Sequence, residues 1–146
     1  FSPADSTTRG QFATMLYRFA GSPAFEMPAN PFTDVSKSDG YFKPIMWAYA
    51  TKIVNGTSKT TYSPKDTCTR GQIVTMLYKM AGKPDISPDT VNPFKDVRET
   101  DGYYKAIMWA VEKGLTKGTS KTTFSPKDPC KRSQIVTFLY RYFFMD

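Results

Sequence analysis

The sequence has no histidine, only two cysteines among 146 residues, and no long apolar run. Without histidine, no side chain has an ordinary pKa near neutrality, which excludes Ser-His-Asp and Cys-His pairs and the usual zinc and non-haem iron sites. No apolar run approaches the roughly 18 residues that a membrane-spanning helix needs, and no basic run precedes an apolar stretch at the start. We therefore expect no transmembrane segment, no signal peptide, no metal or cofactor, and no enzyme.

The charged residues favour an anionic partner. There are 20 Lys and Arg against 13 Asp and Glu, giving a net charge of +7 and a pI near 9.4. Nucleic acid, an acidic membrane and an acidic wall polysaccharide would all satisfy this charge. The hydrophobic fraction of 40% predicts a globular fold, and the start at Phe1 rather than Met suggests a piece of a longer or processed protein.

The chain repeats itself with a period of roughly 62 residues. Phe32-Thr-Asp-Val returns at Phe94, and the eleven residues from Gly56 return at Gly118 with one Tyr replaced by Phe. Thr8-Arg-Gly-Gln likewise matches the residues from Thr69. We predict these segments: half of a first repeat at 1–21, a connector at 22–31, a second repeat at 32–82, a connector at 83–93, and a third repeat at 94–146.

Each whole repeat is predicted to contain two amphipathic helices around a polar loop, which makes the fold all-α. The first helix of repeat two has the apolar stripe Phe42, Ile45, Met46, Tyr49 and Ile53. The second helix begins after a Thr-x-x-Gln capping box, and glycines suited to left-handed caps end its first two copies.

These motifs resemble the S-layer homology module. Phe-x-Asp-Val, a helix with Trp, a Gly-Thr turn, Tyr/Phe-Ser-Pro and Arg-x-Gln before a second helix follow one another in each whole repeat. The resemblance implies three helix-loop-helix repeats in a pseudo-threefold, three-pronged spindle around a helical bundle. It also implies a non-catalytic module at the cell wall or S-layer of a bacterium, which anchors an exported protein by binding an acidic, often pyruvylated, secondary cell-wall polysaccharide.

The resemblance also implies a set of ligand-binding residues in grooves between the repeats. Carried over by motif, they are Arg9, Arg70, Arg132, Asp34, Asp96, Gly56, Gly118, Trp47 and Trp109. The sequence departs from the family's Thr-Arg-Ala-Glu by having Gln11, Gln72 and Gln134 in place of the glutamate. Because the front half of the first repeat is missing, one groove is expected to be incomplete.

Each candidate residue type also has a structural interpretation. The arginines could bind a carboxylate beside the free N–H groups of a helix start, or pair with Asp34 or Asp96 and hold the repeats together. Each tryptophan lies about 140° from its helix's apolar stripe, which favours packing against a neighbouring repeat over contact with a sugar. The glycines could be turn residues, ligand contacts, or both.

Cys68 and Cys130 are one period apart, with Thr7 at the equivalent place in the first repeat. Equivalent positions come within the roughly 7 Å that a disulfide needs only near a symmetry axis, so free thiols are expected.

A second hypothesis is a self-assembly or protein-docking module. The helix carrying Phe12, Met15, Leu16 and Phe19 would need cover that the missing half repeat cannot supply, and another chain could provide it. Nucleic acid is not an expected partner, because the basic residues are spread through the repeats and no nucleic-acid-binding motif is present.

Overall fold

The structure is a computed structural model that describes residues 5–144. Within that range the regular elements are five α-helices, and extended backbone is limited to three isolated bridges. This confirms the all-α class, while the three-pronged outline stays a prediction. The helices are α1 (Arg9–Phe19), α2 (Phe42–Ala50), α3 (Arg70–Met80), α4 (Tyr104–Glu112) and α5 (Arg132–Phe144).

The predicted capping boxes set the starts of α1 and α3. At α1, the Gln11 backbone N–H donates to the Thr8 hydroxyl, and the Thr8 N–H donates to the Gln11 side-chain oxygen. The start of α3 repeats both bonds. At α5, Lys131 has no hydroxyl, but its N–H still donates to Gln134 Oε1 at 2.9 Å. The last helix therefore retains half of the box.

Helices pair across repeats rather than within them. α2 packs against α1, and α4 packs against α3, so the first helix of each whole repeat covers the second helix of the preceding one. The Trp47 ring lies 5.3 Å from the Tyr17 ring, centroid to centroid. The corresponding distance from Trp109 to Tyr78 is 5.5 Å.

This pairing corrects the expectation that α1 would be left uncovered. Phe12 and Leu16 are buried. The exposed face lies on α5 instead, where Tyr140, the counterpart of Tyr17, is 55% exposed, against 7% for Tyr17. The rest of α5 is partly covered, since this helix packs against α1. Within residues 5–144, α1 and α3 are each covered by the first helix of the repeat that follows them.

The segments just before α1, α3 and α5 form a closed ring of backbone hydrogen bonds. Cys68 N–H donates to Thr7 O at 2.8 Å, Cys130 N–H to Cys68 O at 2.9 Å, and Thr7 N–H to Cys130 O at 3.1 Å. All three side chains are completely buried. The ring gives the three copies a cyclic order and brings the starts of the three second helices together.

Candidate ligand grooves between the repeats

Two equivalent grooves lie between the turn after one first helix and the face of a second helix. Groove A, of about 520 Å³, runs between the turn at 54–56 and the α3 residues Gln72, Thr75, Met76 and Lys79. Its remaining walls include Arg9, Tyr103 and Lys127.

Groove B, of about 430 Å³, repeats this arrangement one period later. It runs between the turn at 116–119 and α5, which contributes Gln134, Thr137, Phe138 and Arg141. Arg70 takes the place that Arg9 holds in groove A. The repeats of the sequence therefore produce repeated grooves.

The turn glycines are required by the backbone and also line the grooves. Gly56 and Gly118 have φ of +93° and +88°. A Cβ on Gly118 would lie 2.5 Å from Thr123 O and 2.5 Å from the Phe94 ring. Only glycine combines this dihedral angle with so close an approach. The turn role holds at both positions, and ligand contact stays a prediction.

Asp34 and Asp96 fix the loops that follow these turns. Asp34 accepts from the N–H groups of Tyr62 and Ser63, at 2.9 and 2.8 Å, and Asp96 binds the equivalent loop in the next repeat. Neither carboxylate lines groove A or B. The structure therefore gives them a loop-holding role outside the two grooves.

Arg9 is a buried link between repeats. Its Nε donates to Tyr62 O at 2.9 Å, and its guanidinium lies 4.6 Å from the centroid of the Tyr62 ring. Its side chain is only 6% exposed. Arg70 binds Phe124 in the same way, and burial lowers the pKa of Arg70. The predicted joining of repeats by these arginines is found, but through a carbonyl and a ring rather than through an aspartate.

The helix starts beside these arginines have already used their N–H groups. In α1, Arg9 N–H donates to Asp66 O and Gly10 N–H to Pro64 O, both at 2.8 Å, while Gln11 N–H donates to Thr8. In α3, the first two N–H groups bond to the loop of the third repeat in the same way. The expected free N–H groups at a helix start are therefore not available to an anion at α1 or α3.

A third cleft, of about 330 Å³, lies on α1. It is lined by Gln11, Thr14 and Arg18 of α1, by Arg132 of α5, and by Gly40 and Tyr41. Among the described residues, no counterpart of the Gly56 and Gly118 turns lines it. The position equivalent to Tyr62 is Phe1, which lies outside the described residues.

Trp47 and Trp109 do not form part of either groove. They are 4% and 3% exposed, and they pack against Tyr17 and Tyr78 of the preceding repeat. Both rings therefore make the predicted packing contact with a neighbouring repeat, and ligand contact by either tryptophan stays a prediction.

Comparison with known families identifies the repeats that form these grooves. The family model of the S-layer homology domain matches residues 31–74 and 93–136, and each match overlaps one of the two predicted whole repeats. The chain belongs to the S-layer homology family. It is therefore a cell-surface anchoring module, since domains of this family are non-catalytic anchors at the bacterial cell surface.

Relatives of this S-layer homology module include surface proteins and an enzyme. It is 36% identical to an endoglucanase of Bacillus sp. (strain KSM-635) over 77% of its own length and 12% of the relative. It is 27% identical to a cell surface protein of Thermoanaerobacter kivui over 89% of its length and 16% of the relative. It is also 27% identical to the surface-layer 125 kDa protein of Lysinibacillus sphaericus, over 76% and 9%. The chain thus spans a small part of each.

Each second helix of the module has a basic residue in its last turn that was not predicted to be part of the site. Arg18, Lys79 and Arg141 occupy equivalent places, and each lines one of the three clefts. Burial, with Lys83 and Arg9 nearby, lowers the pKa of Lys79. Arg141 Nη1 donates to Leu115 O at 3.0 Å, which holds its side chain over groove B. A basic residue recurring nine positions after each signature arginine was the available signal.

The charged residues that line grooves A and B are all cationic. Groove A has Arg9, Lys79 and Lys127. Groove B has Arg70, Lys117 and Arg141. Among residues 5–144, no Asp or Glu lines either groove, and glutamine stands where the family commonly has glutamate. Such a groove can hold an anionic group without an internal competitor. In the same part of the chain, no helix is long and apolar enough to cross a membrane.

Proposed function

We propose that this module anchors its parent protein by binding an acidic secondary cell-wall polysaccharide, pyruvylated on some of its sugars, in grooves A and B. The observation that carries the proposal is that each groove is lined by three cationic side chains and by no acidic one among the described residues. A ketal-linked pyruvate presents one carboxylate, which a lysine or arginine can bind through charge-assisted hydrogen bonds.

The basic residue at the end of each second helix is the best placed to meet that carboxylate. The Nε–H groups of Arg9 and Arg70 already donate to backbone carbonyls of the next repeat. Lys79 and Arg141 line the same two grooves near the C-terminal ends of α3 and α5. We therefore assign the anion contact to Lys79 in groove A and to Arg141 in groove B, with the turn glycines alongside.

Two equivalent grooves suit a repetitive polymer. When one groove is occupied, a neighbouring acidic sugar of the same strand is held at a high effective concentration near the second groove. Moderate affinity at each groove is then sufficient for firm anchoring. A single-groove variant should consequently lose much more binding to polymer than to a short acidic oligosaccharide.

Retention of the module on purified wall polymer, with and without its pyruvate groups, tests this proposal. Removing one charge-assisted contact of roughly 1.5 to 3 kcal/mol should weaken binding about 10- to 100-fold. The variants are Lys79→Gln and Arg141→Gln, and Lys43→Gln is the matched control because Lys43 is exposed on α2 and lines neither groove. Retention unchanged in both groove variants would contradict the assignment.

A second candidate function is docking of another helix on α5, and the exposure of Tyr140 favours it. Its counterparts Tyr17 and Tyr78 are covered by tryptophan-bearing helices. The partner that fits is a helix of the α2 or α4 kind. A synthetic peptide covering residues 103–113 should therefore bind the module and change its tyrosine fluorescence, while the same peptide with Trp109→Ala should not. Equal binding of both peptides would argue against docking at this face.

A further inference from the structure

The ring of backbone hydrogen bonds places the two cysteines directly opposite each other. The antiparallel bridge between Thr69 and Pro129 puts residue 68 across from residue 130, and Cys130 N–H donates to Cys68 O at 2.9 Å. The Cys68 N–H donates to Thr7 O instead, so the two cysteines share one backbone bond rather than two. Directly opposed residues of an antiparallel pair have Cα atoms about 4.5 to 5.5 Å apart. This lies inside the range of up to about 7 Å that disulfides occupy.

Because the two cysteines are so close, distance is not a reason to expect free thiols. They are free in this structure. The predicted reason, too great a separation, is wrong, because the ring gathers the three equivalent positions around one point. Side chains of opposed residues in an antiparallel pair project to the same face, and both cysteines are completely buried there.

We propose that Cys68 and Cys130 form a disulfide that cross-links the two whole repeats when the module folds in an oxidising medium. The oxidant is a small-molecule disulfide, such as that of glutathione. One cysteine loses its proton and attacks a sulfur of the oxidant, which forms a mixed disulfide and releases one small thiol.

The second cysteine then completes the exchange. Its thiolate attacks the protein sulfur of the mixed disulfide, the S–S bond between the two repeats forms, and the second small thiol leaves. The protein loses two electrons and two protons, and the oxidant gains them as two thiols. Bacterial cell surfaces are places where such bonds persist.

Burial determines when the bond forms. It raises the pKa of Cys68 and of Cys130 to about 12, so thiolate is scarce once the ring has closed. Exchange therefore takes place while the repeats are coming together, and the finished bond is shielded from reductants. The cross-link would lie two residues before Arg70 and Arg132, at the starts of α3 and α5. It would hold the two helices that form one wall of grooves A and B.

Thr7 supplies the matched control. Threonine occupies the third place of the ring and makes the same backbone bonds, so Cys68→Thr and Cys130→Thr should fold. The experiment is to unfold the full chain in reductant and refold it with either reduced glutathione alone or a reduced and oxidised glutathione pair. Free thiols are then counted under denaturing conditions, and the unfolding temperature of each sample is measured.

The expected result is loss of both thiols in the oxidised sample, a higher unfolding temperature that added reductant reverses, and a trypsin product that joins residues 66–70 to residues 128–131. Neither threonine variant should show a redox-dependent shift. Two titratable thiols after oxidative refolding would overturn the proposal, as would separate glutathione adducts or cross-links only between molecules. The peptide map of the unmodified chain decides the matter even if a variant fails to fold.

Discussion

The guanidinium of Arg70 lies over the ring of Phe124, 4.7 Å from its centroid, and its Nε donates to the carbonyl oxygen of that same residue at 2.8 Å. Arg9 makes the same pair of contacts with Tyr62 in the preceding copy. The signature arginine of the family therefore joins one repeat to the next in this chain. The basic residues assigned to the ligand, Lys79 and Arg141, lie near the C-terminal ends of α3 and α5.

Arg70→Lys should destabilise the fold by about 2 to 3 kcal/mol, because a lysine cannot both lie flat on the ring and donate to the Phe124 carbonyl. Urea unfolding followed by circular dichroism measures this. Arg98→Lys is the matched control, since Arg98 is exposed, and it should change stability by less than about 0.5 kcal/mol. Equal stability of the two variants would show that the Arg70 link contributes little.

Trp109→Phe should lower stability by about 1 to 2 kcal/mol and leave polymer binding by the folded protein unchanged. The indole is buried between Tyr78 and Tyr142 and lies outside both grooves. Thermal unfolding and wall-polymer retention, measured on the same preparation, separate the two effects. Weakened retention of a variant with normal stability would indicate that Trp109 contacts the ligand.

Gly118→Ala should cost more than Gly114→Ala, although both glycines have positive φ. A Cβ at Gly114 meets nothing within 4 Å, so only the dihedral cost of about 1 kcal/mol applies. A Cβ at Gly118 would collide with Thr123 O and the Phe94 ring, which adds roughly 1 to 3 kcal/mol. Chemical denaturation of both variants tests this order, and equal losses would mean that the turn relaxes freely.

Binding in groove A should weaken at alkaline pH sooner than binding in groove B. An anion favours the protonated form of Lys79, so affinity falls as the pH rises through the pKa of Lys79. That pKa is lowered by burial and by the nearby Lys83 and Arg9, so the loss begins at a lower pH than for an exposed lysine. Groove B has an arginine in the equivalent place, and a guanidinium group is not deprotonated in proteins.

The pH experiment compares two variants. In Arg141→Gln only groove A stays intact, and in Lys79→Gln only groove B stays intact. The first should show the alkaline loss of binding to an acidic oligosaccharide, and the second should show less of it. Lys79→Arg in the Arg141→Gln background should remove the loss. If this arginine variant kept the full alkaline loss, the titrating group would not be Lys79.

Local features of this fold were predictable because neighbouring residues in the sequence determine them. The capping boxes of Thr8 and Thr69 and the glycine stop at Gly82 follow from side-chain and backbone chemistry within a few residues. The helix stripes followed from the period of apolar residues. The repeat itself then predicted that any groove would occur more than once.

Tertiary relationships were harder to predict, because periodicity does not say which repeat a face packs against. Because α2 packs against α1, the exposed surface lies at Tyr140 rather than on α1 as expected. The backbone ring places Cys68 and Cys130 next to each other, which the sequence did not indicate. Arg9 was recognised as important, but its partner, a carbonyl and ring 53 residues away, has no sequence signal. The basic residue at the end of each second helix did have one.

The most direct test of the account is the retention of the Lys79→Gln/Arg141→Gln double variant on pyruvylated wall polymer, measured beside the unmodified module and the Lys43→Gln control. The double variant should fold normally, as judged by circular dichroism, and its binding should fall to the level that the unmodified module shows on polymer stripped of pyruvate. Full retention by a folded double variant would contradict the claim that these two grooves hold the acidic polymer.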